Sequence, residues 1–494
     1  MIIFILIILC LVILAIYNDT KKPKNFPNGP SWLPVIGNLN IYKKLLGSLG
    51  FHHLVWCELS KKYGNVVGLK LGRNIVVCVL GPDAIKEVMT REEFDGRPDG
   101  YLFRLRTFGK RLGIVFSDGE LWQKQRKFSV NHLRHFGFGK KDMDMKIEVE
   151  TKDLIDVFRK QCDKPIEMQT AFDISVLNVL WSMMAGNRFS LDDIRLQTLV
   201  NCIHHTFTLL DISGGILNQM PVLRHFAPDK TGFNDVVYGI EKLMVFLREV
   251  VDEHKSTLCS SHSRDLIDSF ITKMDQPQKH ESFTDEQLLS LCLDLLMAGS
   301  ETTSNTLAFA ILYMVKYPEI QKRVQDEIHE AVGVNRWPVY EDRIRMPYTE
   351  AVLMEVQRIA NVPPLGIAHR AIRDTHLQGR HIPKDTIILP CLYSIHMDKD
   401  FWKDPETFRP ERFIGEEGKI VIPEKYFAPF GYGKRRCLGE ALAKSNLFSF
   451  FSAILYNFDI QKDPEHPEID MIGRDGVTIA PKPYRVVLHP RADY

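Results

Sequence analysis

At 494 residues, with 63 Lys plus Arg against 62 Asp plus Glu, the chain can bury a large core and carries a formal charge of only +1, which leaves no bulk electrostatic case for nucleic acid. Nine cysteines lie scattered at positions 10, 57, 78, 162, 202, 259, 292, 391 and 437 with no C-x-x-C pair. That spread argues against a zinc site and against a disulfide scaffold, and suits a reducing compartment.

Residues 1–17 are apolar apart from the terminal amine, and Lys21, Lys22 and Lys24 come next. Seventeen helical residues reach roughly 26 Å, the lower limit for a hydrocarbon core. A cleaved signal would have a basic stretch before the apolar run and a small-x-small site after it, and both are missing. The charge asymmetry predicts an uncleaved single-pass anchor over residues 1–20, with the bulk of the chain on the cytosolic side. Pro23, Pro27, Pro30 and Pro34 then make a stiff hinge over 21–38 that cannot continue a helix. Length alone suggests roughly two to four domains, yet no Ser, Gly or Pro-rich linker and no internal repeat lies within 60–494; a single domain over 39–494 is what the family resemblance given below implies.

Within that domain, 52–63 reads as an amphipathic helix, and 65–72 with 74–80 as a hairpin turning at Gly72 and Arg73. Gly81, Pro82 and Asp83 start another helix, with Asp83 suited to capping it. Residues 95–117 form a long loop with room for one short helix. Helical periodicity dominates from 119 to about 330, interrupted at 209–228, a connector or, as the family resemblance given below implies, a membrane-dipping loop beside a substrate entrance. Strand-like runs return only at 375–390 and 475–489. The fold class is mainly α with a small β region.

The 288–317 run is apolar but broken by Ala298, Gly299, Ser300, Glu301, Thr302 and Thr303. Glycine is poor in a helix interior, and a threonine hydroxyl can take up a carbonyl and open the ladder locally. A hydroxyl beside a carboxylate also offers a proton relay. Glu355 and Arg358 stand three apart on one helical face in an apolar surround, so their pair must be fully satisfied; Arg412 is the expected third member, its planar fork able to reach a carboxylate and carbonyls together. Trp122 and Arg126 share a face four residues apart. Last comes the run Phe430, Gly431, Tyr432, Gly433, Lys434, Arg435, Arg436, Cys437, Leu438, Gly439. Here a lone cysteine lies among glycines that allow close backbone approach, just before a helix expected from Leu438, whose amides and dipole favour a thiolate.

Phe-x-x-Gly-x-x-x-Cys-x-Gly resembles the haem-binding loop of the cytochrome P-450 monooxygenases. The likeness extends along the chain in that family's order: anchor, proline hinge, Trp-x-x-x-Arg, Ala-Gly-x-Glu-Thr-Thr, Glu-x-x-Arg, Pro-Glu-Arg-Phe and the cysteine loop. The resemblance implies haem b ligated by Cys437, in a loop that includes Phe430, Gly431 and Gly439. Trp122, Arg126, Arg435 and His369 are implied as propionate partners, and Glu355, Arg358 and Arg412 as a structural lock. It implies Thr302 as the proton-handling hydroxyl, Glu301 as its acidic neighbour, and Ala298 and Gly299 as the space over the iron. Val362, Leu365, Val477 and Thr478 are implied as pocket walls, together with the 98–117 loop and the region near 204–211, for a lipophilic substrate arriving from the bilayer. Lacking a flavin or nicotinamide fingerprint of its own, such an enzyme takes NADPH-derived electrons from a flavoprotein reductase, with cytochrome b5 as a further partner, on the cytosolic face of the endoplasmic reticulum membrane. Lys434 and Arg436, with Arg134, Lys140 and Lys141, offer a basic docking face. The stretches around Phe94 to Gly100 and Phe108 to Ile114 resemble insect microsomal members that epoxidise methyl farnesoate to juvenile hormone. A monooxygenase of another terpenoid, a steroid or a xenobiotic, a haem-thiolate isomerase or peroxide-using enzyme, and a non-catalytic haem-binding protein are the alternatives.

Overall fold

The computed structural model describes residues 1–209, 214–259, 262–334 and 336–491. It begins with helix Ile2–Thr20, in which no residue is buried. At 19 residues it spans about 28 Å. Its last turn is tied to the body. Asp19 Oδ2 accepts from Val35 N at 2.8 Å, the Asp19 carbonyl accepts from Lys70 Nζ at 2.9 Å, and the two side chains form an ion pair.

The expected 52–63 helix is His52–Tyr63, and the hairpin is Val66–Leu71 against Asn74–Val79, antiparallel with Leu71 opposite Asn74. Ile387–Pro390 adds in parallel to the second strand, and His369–Arg370 closes this four-stranded sheet. Thr375–Leu377 and Arg380–Ile382 form a separate hairpin. The next helix starts at Pro82 with Gly81 as the cap, at φ 75°. Asp83 lies inside the first turn and makes no side-chain cap bond, because proline's fixed φ already sets the first helical residue. The 95–117 loop holds one short helix, Tyr101–Leu105.

Strands Pro165–Glu167 and Phe458–Lys462, both outside the expected β regions, sandwich Arg485–Pro490 in a three-stranded sheet. The second continues from helix Glu440–Asn457 without a break. Phe458 and Ile460 point inward and Asp459 and Gln461 outward, the period-2 signature at too short a length to stand out from the helix before it. In the 209–228 segment, residues 210–213 lie outside the described residues; beyond them come two short helices, Gly215–Gln219 and Leu223–Phe226.

The core gathers around helix Asp285–Lys316, whose Thr284 cap accepts from Gln287 N at 3.2 Å. It runs unbroken through Ala298 to Thr303, contrary to the break expected there. Thr302 Oγ1 does take up the Ala298 carbonyl, at 3.1 Å, but in addition to the helical ladder rather than in place of it.

Candidate active site

Cys437 ends a tight loop held by its own backbone. Its N–H donates to the Phe430 carbonyl at 3.0 Å, and Arg436 N to Gly433 O at 3.2 Å. Gly431 and Gly433 have φ of 70° and 67°. Gly433 is needed for close packing against protein rather than for a flat ligand: a Cβ there would lie 2.1 Å from the Met89 carbonyl oxygen. A Cβ on Gly439 would sit at 3.9 Å from the Cys437 sulfur. The helix begins at Glu440, two residues later than expected, with Gly439 as its cap. Cys437 keeps accessible surface, yet the protein packed around its sulfur pushes the thiol up. Burial outweighs the Gly439 amide and the Arg126 and Arg436 charges, so the helix start alone does not yield a thiolate. A coordinated metal does, because coordination deprotonates a thiol outright.

Beside the cysteine lies a group of cations that make no ion pair among the described residues, although the Asp95 and Asp118 carboxylates stand near enough to act on Arg97 and Arg435. The guanidinium carbons of Arg435 and Arg126 lie 3.8 and 5.7 Å from the centroid of the buried Trp122 ring. Arg126 Nη2 donates to Arg436 O at 2.9 Å, directly next to Cys437. Arg435 Nη2 donates to the carbonyls of Asp95 (2.7 Å) and Ser117 (3.0 Å), while its buried Nη1 has no partner among the described residues. His369 Nδ1 is 2.7 Å from Phe94 O. A further member carries little signal in the sequence. This is Arg97, whose buried side chain donates to carbonyls alone, among them Ala368 at 3.0 Å and Ile367 at 3.1 Å. Its one signal is an arginine in a Gly-Arg-Pro turn. Burial lowers Arg97 well below the usual arginine range, and Arg435 lowers it further. Burial likewise brings Arg435 down to about 10, and burial with Arg97 and Arg435 keeps His369 neutral. Desolvated cations that depress one another call for carboxylates between them. Together with a flanking aromatic and a nearby cysteine, the donor set fits a haem and its two propionates.

The expected lock is assembled in full. Glu355 and Arg358 are completely buried and paired bidentately, with Nε–Oε2 and Nη2–Oε1 both at 2.7 Å. Arg412 Nε reaches Glu355 Oε1 at 3.1 Å, and Arg409 N donates to the same oxygen at 2.9 Å. Arg358 also donates to the carbonyls of His396 and Pro405, each at 2.8 Å. His396, another residue not anticipated, continues the chain of contacts. Ala428 N donates to its Nε2 at 3.1 Å, so its proton resides on Nδ1, which faces Asn361 Oδ1 at 2.8 Å. Burial, then Arg358, lowers its pKa to about 3. The lock thus meets the cysteine loop two residues before Phe430.

The pocket segments converge on helix Asp285–Lys316. On a helix otherwise buried over most of its length, Ala298, Gly299 and Thr302 keep accessible surface. Gly299 makes room for protein rather than for a ligand, since a Cβ there would stand 2.5 Å from Leu180 Cδ2. The 98–117 loop is pinned by Asp294, which accepts from Ile114 N (2.7 Å) and Val115 N (2.8 Å) and pairs with Arg106. Val477 N donates to Phe207 O and Ile479 N to Val362 O, each at 2.8 Å. Thr478 Oγ1 donates to Glu301 Oε1 at 3.3 Å. Leu365 is buried in the small cluster beneath the four-stranded sheet, against which Val477 packs. Glu301 also accepts from Asn305 Nδ2 at 2.9 Å and pairs with His204; among the described residues no hydrogen bond joins it to Thr302.

A model of the cytochrome P450 family matches residues 27–488. Farnesoate epoxidase of Bombyx mori is 41% identical over 491 residues, 99% of each chain. Probable cytochrome P450 305a1 of Drosophila melanogaster is 38% identical over 491 residues, 97% of each chain. Cytochrome P450 2J5 of Mus musculus is 39% identical over 477 residues, 96% of this chain and 93% of the relative. Cysteine loop, lock, cation group and sequence likeness agree: the chain belongs to the cytochrome P450 family, monooxygenases that hold haem through a cysteine thiolate and take their electrons from a reductase.

Proposed function

We propose that this chain epoxidises methyl farnesoate, with Cys437 as the thiolate ligand and Thr302 as the proton-handling hydroxyl. The observation that carries the farnesoid substrate is the 41% identity, over 99% of both chains, to a relative named farnesoate epoxidase, a name that specifies the acyl chain and not its methyl ester. The apolar walls at Val362, Leu365 and Val477 suit an isoprenoid chain.

A thiolate-bound haem supplies the electron push for cleaving the O–O bond. Arg97, Arg126, Arg435 and His369 would hold its carboxylates, with Trp122 packed against Arg126 and Arg435. Thr302 donates its hydroxyl hydrogen to Ala298 O, which leaves its oxygen free to accept, and the residue keeps accessible surface, where the hydroxyl would take up a proton and pass it on. Glu301 acts as a charge fixed in place rather than as a direct neighbour of that hydroxyl.

Helix Ile2–Thr20 serves as the anchor in the endoplasmic reticulum membrane, residues 21–38 as the hinge, and residues 39–494 as the catalytic domain on the cytosolic face. The reductase, and cytochrome b5 as a second donor, dock at Arg134, Lys140 and Lys141. These residues are exposed, and Gly139 beside them packs near Ala441 of the helix that succeeds the cysteine. Lys434 and Arg436 are less free, being paired with Glu92 and Glu440 at 2.6 Å.

Binding difference spectra with methyl farnesoate, farnesoic acid, a steroid and a xenobiotic, with product identification for each, test the substrate. Tightest binding of the ester and formation of its epoxide are expected. Preference for the steroid or xenobiotic, with no epoxide from the ester, sinks the assignment.

A further inference from the structure

Glu301 belongs to a cluster that the monooxygenase reaction does not account for. His204, on helix Ile194–Leu209, turns inward between two carboxylates from core helices. Its Nε2 lies 2.8 Å from Asp173 Oδ2, at the start of helix Asp173–Met184, and its Nδ1 pairs with Glu301 Oε2 on the long helix. The side chains of Asp173 and Glu301 are only 4% and 3% exposed. An imidazolium has a proton for each of these oxygens; a neutral ring has one, and the second contact would then need the Asp173 carboxyl, which burial pushes up, to carry the proton. Although burial works against the charge, the two carboxylates raise His204 to about 10.

Ser304 Oγ, on the long helix near Asp173, is a buried hydroxyl without a hydrogen-bond partner among the described residues. Asp173 Oδ1 is buried without a hydrogen-bond partner among the described residues. His204 is the one cation paired with either carboxylate among the described residues. The other charged groups near its turn, His205 and Asp235, pair with each other at 3.7 Å on the exposed side. Thr478 joins the cluster through Glu301, and one residue earlier Val477 N bonds Phe207 of the same helix as His204. The cluster therefore binds the 194–209 helix, the long helix and the C-terminal loop along one side of the accessible face at Ala298 and Thr302.

We propose that His204 is an electrostatic latch that closes this side of the pocket by fastening the 194–209 helix to Asp173 and Glu301, so that a bulky ligand passes only when the latch opens. Withdrawing His204 leaves two buried carboxylates facing each other with no cation, which makes the open state transient. The latch acts on rates: closed and open forms interconvert on the way in and on the way out, so its removal speeds both and leaves their ratio nearly unchanged.

The test is stopped-flow binding to the holoenzyme of two iron-coordinating probes, imidazole and the much larger clotrimazole. In His204→Gln, clotrimazole association and dissociation should both accelerate on the order of tenfold or more, the scale of one lost charge-assisted hydrogen bond. Imidazole rates should not change, and His204→Arg, a planar cation with donors for both carboxylates, should restore slow passage. Unchanged clotrimazole rates, or equal acceleration of both probes, would overturn the latch, as would failure of the arginine variant to differ from the glutamine one. If His204→Gln does not retain haem, amide hydrogen exchange on the full chain decides: faster exchange confined to 194–209 supports the latch, and unchanged or uniformly faster exchange refutes it.

Discussion

Replacing Glu355 by glutamine keeps the volume of the lock and removes its fully buried carboxylate. Four hydrogen bonds end on Glu355, from Arg358 twice, from Arg412 and from the Arg409 amide. The amide group accepts through one oxygen only, and its NH2 points a donor at a guanidinium. Arg358, with no exposed surface, keeps its carbonyl bonds to His396 and Pro405 but loses its counter-charge. Breaking a buried pair from one side costs about 3–5 kcal/mol. At about 2.1 cal/mol/K per residue, a body of this size has an unfolding entropy of about 1 kcal/mol/K, so the midpoint should fall by about 3–5 °C. Matched-rate thermal scans of wild type and Glu355→Gln, with haem absorbance tracked in parallel, provide the assay. Haem release should shift with unfolding, since the lock touches the cysteine loop through His396 and Ala428. A drop below about 1 °C, with haem retained, would mean that the buried charges are not the element that holds the loop.

Thr302→Ala should retain haem yet lose more than half of the coupling between NADPH consumed and product formed, with the difference appearing as hydrogen peroxide; normal coupling removes Thr302 from proton handling. Arg97→Leu should lower haem occupancy on purification severalfold more than a change at the exposed Arg134, checked by the ratio of haem to protein absorbance. His396, held neutral with its pKa depressed to about 3, binds no proton in the folded state while the unfolded chain does. Its presence should therefore make stability fall as pH drops from about 6.5 toward 3, and His396→Gln should flatten that part of the pH–stability curve, as measured by urea midpoints. Lys140→Glu with Lys141→Glu should weaken reductase-supported turnover severalfold at low salt and much less at high salt; unchanged kinetics at low salt would move the docking face elsewhere.

Much of the site is legible along the chain because its chemistry demands unusual residues in unusual places. A cysteine among glycines, a Glu and Arg three apart in an apolar run, and a Gly-x-Glu-Thr-Thr in a helix all conflict with plain packing, and the structure gives each a specific set of partners. The hairpin at 65–80 is readable for the ordinary reason that its apolar residues and turn match a strand period. What escapes are long-range facts. Arg97 looks like any turn arginine until Ala368, from a segment about 270 residues away, supplies its acceptor. His396 has no local pattern, since its partners Asn361 and Ala428 flank it in space and not in sequence. Gly433 and Gly299 read as space for a ligand because their neighbours, Met89 and Leu180, are invisible along the chain. The adjacency of Glu301 and Thr302 suggests a shared task, but successive residues on a helix point about 100° apart, and Glu301 turns toward His204.

The fastening of Asp19 to Val35 and Lys70 changes what the apolar helix is for. A segment joined to its cargo only by flexible chain would be a leash, and the globule would tumble at its end. Here the last turn grips the first strand of the four-stranded sheet. With the helix seated in a bilayer as proposed, its tilt would be handed to the globule as a heading, and the thickness of the lipid would become a dial on how deep one flank of the enzyme rides.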